Sequence, residues 1–88
     1  MKNDSKGCVF DYIMNGILYN LSGKYDEAIK EFTHALNIAP EHKVAYYQRA
    51  RAYNAMGNKN AVLEDLKSSA RLGYMRAQNV LSLKNIGF

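Results

Sequence analysis

Displaced by 34 residues, the sequence falls on itself. Tyr12 meets Tyr46, Tyr19 meets Tyr53, Asn20 meets Asn54 and Gly23 meets Gly57. At the same offset Gly16 pairs with Ala50, Ala28 with Val62, Ile29 with Leu63, Phe32 with Leu66 and Ile38 with Leu72. The identities fall on aromatics and glycine, and the replacements keep size or apolarity. A fixed period in this range marks stacked units, each too small to bury its apolar face alone.

Each unit reads as two helices. Tyr12, Gly16 and Tyr19, like Tyr46, Ala50 and Tyr53, recur at three- and four-residue steps and share one helical face. Breaks follow at Ser22-Gly23-Lys24 and Met56-Gly57-Asn58. Glycine past a helix end suits a left-handed cap, and Asn58 is a good N-cap for the next helix. Lys24 is a poorer cap, offset by Asp26 and Glu27 in the first turn, where acids complement the helix dipole. Second helices then run on Ala28, Phe32 and Ala35, and on Val62, Leu66 and Ser69. The short connections make each pair an antiparallel hairpin. Pro40, the only proline, ends the helix that reaches Ile38 and starts the next, placing Glu41 and His42 in its first turn. Gly73 closes a fourth helix, and Tyr74 to Ile86 reads as a fifth. No strand alternation is present. The expectation is therefore an all-α stack of two hairpins, residues 9–42 and 43–73, ended by a capping helix in residues 74–88 and preceded by a flexible polar stretch, residues 1–8.

The first unit resembles a tetratricopeptide repeat. That pattern falls on Tyr12, Asn15-Gly16, Tyr19, Ala28, Phe32, Ala35 and Pro40, with Gly23 in the turn. Small Gly16 and Ala28 let the paired helices approach, and Tyr19 and Phe32 fill the space beside them. Asn15 departs from the usual leucine. The second unit keeps Tyr46, Ala50, Tyr53 and Gly57, but carries Val62 and Ser69 for the family's alanines and Gly73-Tyr74 for its proline. Leu72 to Ala77 is also similar to the turn of Sel1-like repeats. The resemblance implies a protein-binding adaptor or scaffold whose first helices line a concave groove. Its chaperone-tail clamp would fall on Ile13, Ile17, Gln48, Arg76 and Val80. Only Arg76 matches that clamp in charge, and two isoleucines offer no donors to a carboxylate, so a chaperone-tail clamp is not expected.

Charge is distributed unevenly. Residues 1–42 carry four Lys against six acids, and residues 43–88 carry eight Lys or Arg against Glu64 and Asp65. The basic residues stand singly in helical pattern, which favours solvated helix faces over nucleic-acid binding. The Asp26-Glu27 and Glu64-Asp65 neighbours project about 100° apart on a helix and read as solvated too. Seven tyrosines could form a base-stacking platform, but Tyr12, Tyr19, Tyr46 and Tyr53 are assigned to packing between helices. His34 and His42 lack the i, i+4 partner of a helical metal site. Cys8, the single cysteine, has no neighbouring base, and alone it fits a reducing, cytoplasmic setting. Neither catalysis nor a cofactor or metal is expected, and no stretch is long and apolar enough to cross a membrane.

One surplus remains. Val9 to Leu21 is apolar nearly all round, broken by Asp11, Asn15 and Asn20, whereas packing within a hairpin needs only one face. The expected groove carries Phe10, Ile13, Ile17 and Leu21 from the first helix, opposite Tyr47, Gln48 and Arg51 from the third, with Arg76 beyond them. Such a patch marks a contact with another protein or peptide. The other readings are a homodimer through the bare first helix and, from a different class, a nucleic-acid-binding repeat using the basic half.

Overall fold

The computed structural model describes residues 8–88. Five helices follow one another: α1 (Val9–Leu21), α2 (Tyr25–Ile38), α3 (Lys43–Ala55), α4 (Lys59–Arg71) and α5 (Met75–Leu83). The pairs α1–α2 and α3–α4 are the two hairpins, and α5 packs against α4. Among the described residues there is no strand.

The helix ends explain the chain reversals. After α1, Lys24 N donates to Tyr19 O (2.9 Å) while Gly23 N donates to Asn20 O (3.1 Å), with Gly23 at φ 77°. The same two bonds recur after α3, where Gly57 stands at φ 79°, and after α4, where Gly73 stands at φ 94°. This is the left-handed cap that satisfies the last carbonyls of a helix, and glycine enters it without a Cβ penalty. Asn85 makes the same turn after α5 at φ 59°, with Ile86 N donating to Leu81 O, so the last helix stops at Leu83 instead of running on to Ile86. Asn58 caps α4 as its side chain requires, accepting from Ala61 N at 3.2 Å, and Lys24 supplies no side-chain cap to α2.

The Pro40 region differs from the sequence expectation. Helix α3 begins at Lys43, and neither Glu41 nor His42 lies in its first turn. His42 is the N-cap, its Nδ1 accepting weakly from Ala45 N at 3.4 Å, and Tyr46 Oη donates to Pro40 O at 2.9 Å. These bonds satisfy groups that an earlier helix start would have used internally.

Two apolar clusters form the core. Ile13, Ala28, Phe32, Ala35, Leu36, Ala45 and Ala52 join α1 and α2 to α3, and Ala50, Leu66, Ala70, Ala77 and Leu81 join α3 and α4 to α5. Alanines dominate because helix axes this close leave room for little more than a methyl group. Gly16 shows the limit: a Cβ there would lie 2.5 Å from Phe32 Cε1. Ser69 stands where the first hairpin has Ala35, and its buried hydroxyl donates to Lys43 O at 2.8 Å.

Asp65 is not solvated. It is buried on α4 and forms a two-pronged ion pair with Arg49 of α3, Nε–Oδ2 and Nη2–Oδ1 both at 2.8 Å. Arg49 Nη1 also donates to Thr33 Oγ1 on α2 at 3.1 Å, and the guanidinium lies 5.8 Å from the ring centres of Tyr46 and Tyr53. The hydrogen bonds to Asp65 raise the arginine pKa above its ordinary value, against the opposing effect of burial. One planar side chain thus ties three helices together, as bidentate geometry allows and a lysine would not.

Candidate functional site

The concave side of the stack holds a cavity of about 520 Å³. Its apolar floor comes from Ala50, Val62, Leu66 and Val80, with Ile17 and Leu21 contributed by α1. Its polar lining is Asn20 from α1, Gln48, Arg51 and Asn54 from α3, and Lys84 just past α5. No Asp or Glu lines it among the described residues. An apolar floor with a few polar groups and cations of one sign can hold an amphipathic chain segment and orient its charges.

Local structure explains why these side chains converge. Residues 17, 20 and 21 lie on the last turns of α1, as 51, 54 and 55 lie on those of α3, at the repeat offset. Asn20 links the two helices by donating Nδ2 to Gln48 O at 3.1 Å, while its Oδ1 is buried with no hydrogen-bond partner. Tyr47, on the rim, packs edge-on against Tyr74 at 5.1 Å between ring centres, which fixes the start of α5 beside α3. That contact accounts for two tyrosines that helix packing within the hairpins leaves over.

Of the eight side chains singled out from the sequence, the structure brings five to this cavity: Ile17, Leu21, Tyr47, Gln48 and Arg51. Ile13 is corrected. It is only 6% exposed and belongs to the first core cluster, because α1 turns that side of itself toward α2 and α3. Phe10 is 66% exposed but lines no part of the cavity. It shares the angular face of Ile17 and Leu21 but stands two turns before Ile17, at the opposite end of α1 from the cavity. Arg76 is exposed in the first turn of α5 and also stands outside the lining. Asn20, Asn54, Val80 and Lys84 were not singled out as groove residues. The available signal was the Asn20–Asn54 identity at the repeat offset, since asparagine is an unusual choice for a packing position.

The remaining chemistry-bearing residues have structural surroundings. His34 packs on Tyr12, ring centres 5.3 Å apart, and His42 caps α3. Cys8 is exposed at the N-cap of α1. Among the described residues no group of three His, Cys, Asp or Glu is placed to hold a metal ion, and no helix is long and apolar enough to cross a membrane.

Comparison with known proteins follows the same repeat. A family model described as tetratricopeptide repeat matches residues 20–71, more than half of the chain. The chain belongs to the tetratricopeptide repeat family. Tetratricopeptide repeat protein 36 of Caenorhabditis elegans is 39% identical over 49 residues, covering 56% of this chain and 27% of that protein. Its counterpart in Caenorhabditis briggsae is 41% identical over 46 residues, covering 52% and 26%. A tetratricopeptide repeat and J domain-containing co-chaperone of Cryptococcus neoformans is 35% identical over 57 residues, covering 62% and 11%. The chain therefore spans about a quarter or less of the curated relatives it matches. No solved structure matches it. Tetratricopeptide repeats serve in general as protein-interaction elements and not as catalysts, and this chain carries that architecture.

Proposed function

We propose that the chain holds a partner polypeptide in the concave cavity, and that the segment held is amphipathic and acidic. One observation carries this reading: the cavity has an apolar floor, Arg51 and Lys84 at its edge, and no carboxylate in its lining among the described residues. Apolar anchors of a bound segment would displace water from Ile17, Leu21 and Val80, and each large side chain of the segment that becomes fully buried is worth roughly 1.5–3 kcal/mol. Its carboxylates would meet the two cations, which steer encounter and set salt dependence. The relatives include a co-chaperone, which accords with a role in holding other proteins.

The test is a display library of short peptides selected on the immobilised chain, followed by NMR mapping of the best binder. Selected sequences should pair an apolar anchor with Asp or Glu, and amide shifts should concentrate at Asn20, Gln48, Arg51 and Asn54. Selection of basic or charge-indifferent peptides, or shifts centred on another face, would contradict the reading. An oligothymidylate that binds more tightly than any peptide, with affinity falling steeply in salt, would assign the basic half to nucleic acid instead.

A further inference from the structure

Among the described residues a second unpartnered surface lies on α1, and the repeat itself says what kind of surface it is. Helix α3 packs against the first hairpin through Ala45 and Ala52, both fully buried, with Gln48 and Val44 half-buried beside them. Moved back by 34 residues, those positions are Asp11, Leu18, Met14 and Phe10. The face that α3 uses to receive a neighbouring hairpin is open on α1, where Phe10 is 66%, Met14 40% and Leu18 55% exposed. None of the three lines the cavity, so this interface does not depend on peptide capture.

We propose that this face binds a second copy of the chain, with the two α1 helices antiparallel about a two-fold axis at Met14. The stripe is symmetric about that residue. Phe10 and Leu18 stand one turn either side of it, so Phe10 of one copy meets Leu18 of the other at both ends of the contact. The three side chains present on the order of 300 Å² of apolar surface per copy, the size of patch that on a monomer commonly marks a contact site. With the flanking Cys8, Asp11 and Asn15 the two copies approach about 1,000 Å² together, the scale of a small, concentration-dependent interface. Charge selects the direction. Helix α1 carries no Lys or Arg, and its single acid is Asp11. A parallel pair would set Asp11 against its own copy and align the helix dipoles, and the antiparallel pair does neither. The far end of the stack also exposes Met75 and Leu83, but α5 and the residue after it set them among exposed Arg76, Asn79, Ser82 and Lys84, which makes it a poorer match.

Light scattering over a concentration series tests this on four samples: the wild-type chain, Phe10→Lys, Leu18→Glu, and an equimolar mixture of the two variants. Circular dichroism verifies the fold of each. The wild-type mass should rise toward twice the monomer, and each variant alone should dissociate at least tenfold more readily. The mixture should recover association, because one of its two end contacts sets the introduced ammonium against the introduced carboxylate and the other is native. If either charged variant loses helix, Phe10→Gln and Leu18→Gln replace it, and both should weaken association. A wild-type chain that stays monomeric overturns the proposal and leaves the face to a preceding hairpin of a longer polypeptide. A mass that grows past the dimer means head-to-tail stacking and also overturns it. So does association unchanged in the variants, or a mixture of folded charged variants no better than either alone.

Discussion

Helices α1 and α3 occupy the same register of the repeat in different surroundings. At one position α3 has the fully buried Ala52 and α1 has the half-exposed Leu18. At another, α3 has Arg49 in a two-pronged pair with buried Asp65, and α1 has Asn15 donating to Glu31 at an exposed 3.4 Å. At a third, Ala50 belongs to a core with Leu66, while Gly16 lies against Phe32. The interior of a hairpin obeys the repeat in both copies. The outward face obeys the neighbour: among the described residues it carries small side chains where a hairpin covers it, and large apolar side chains where none does. Arg49 shows the dependence, since part of its hydrogen bonding comes from Thr33 of the preceding hairpin, and among the described residues no hairpin lies on that side of Asn15.

The largest expected effect comes from placing one carboxylate at equivalent sites. Ala52→Glu would bury an unpaired charge between the hairpins and cost ~4 kcal/mol or more, enough to abolish the helical circular dichroism of so small a chain. Leu18→Glu should keep that spectrum. Equal tolerance at both sites would mean that α3 is not the closed counterpart of α1. Next in size, Asp65→Ala should cost about 3 kcal/mol in urea denaturation, because it strands a partly buried guanidinium. The equivalent Glu31→Ala should stay within about 0.5 kcal/mol of wild type, as exposed polar contacts do.

These contrasts mark how far the sequence could be read. The hairpins, their order and three glycine caps were legible, because the 34-residue identities fall on residues whose packing roles are local. The phase of α1 was not. A helix apolar nearly all round has no polar face to orient it, so Ile13, which is core, and Met14, which is exposed, could not be separated by periodicity. The missing step was to transfer the small residues of α3 back onto α1, which places Leu18, and not Ile13, on the open side. The Arg49–Asp65 pair was hidden for another reason: its members lie 16 residues apart on different helices, and a lone acid beside Glu64 reads as solvated. A trace was present in the paired change from Asn15 and Glu31 to Arg49 and Asp65 at one offset. The cavity was half legible. Its α1 and α3 contributions follow from the repeat, whereas Val80 and Lys84 depend on how α5 closes the stack, where the repeat no longer guides.

A smaller effect sharpens the third contrast. Gly16→Ala should cost about 1–3 kcal/mol by crowding the Phe32 ring. Phe32→Leu, which reproduces the second hairpin's combination, should recover most of that loss in a double-mutant cycle. Additive costs would show that the two hairpins do not share one packing rule. The smallest difference is expected at the turns. A Cβ added at Gly23 or Gly57 meets no neighbouring atom, so Gly23→Val and Gly57→Val should each lose chiefly the backbone strain of a left-handed residue, about 1–2 kcal/mol, and by the same amount in both hairpins. A large disparity in melting temperature would place the turns under the influence of their surroundings as well.

The central functional claim is that the cavity, and not the open face of α1, captures the partner segment. Isothermal titration of the best selected peptide against the wild-type chain, Arg51→Glu and Leu18→Glu tests it most directly. The account predicts that Arg51→Glu weakens binding at least tenfold and reduces its salt dependence, while Leu18→Glu binds as wild type does. Unchanged affinity in Arg51→Glu together with loss in Leu18→Glu would contradict it.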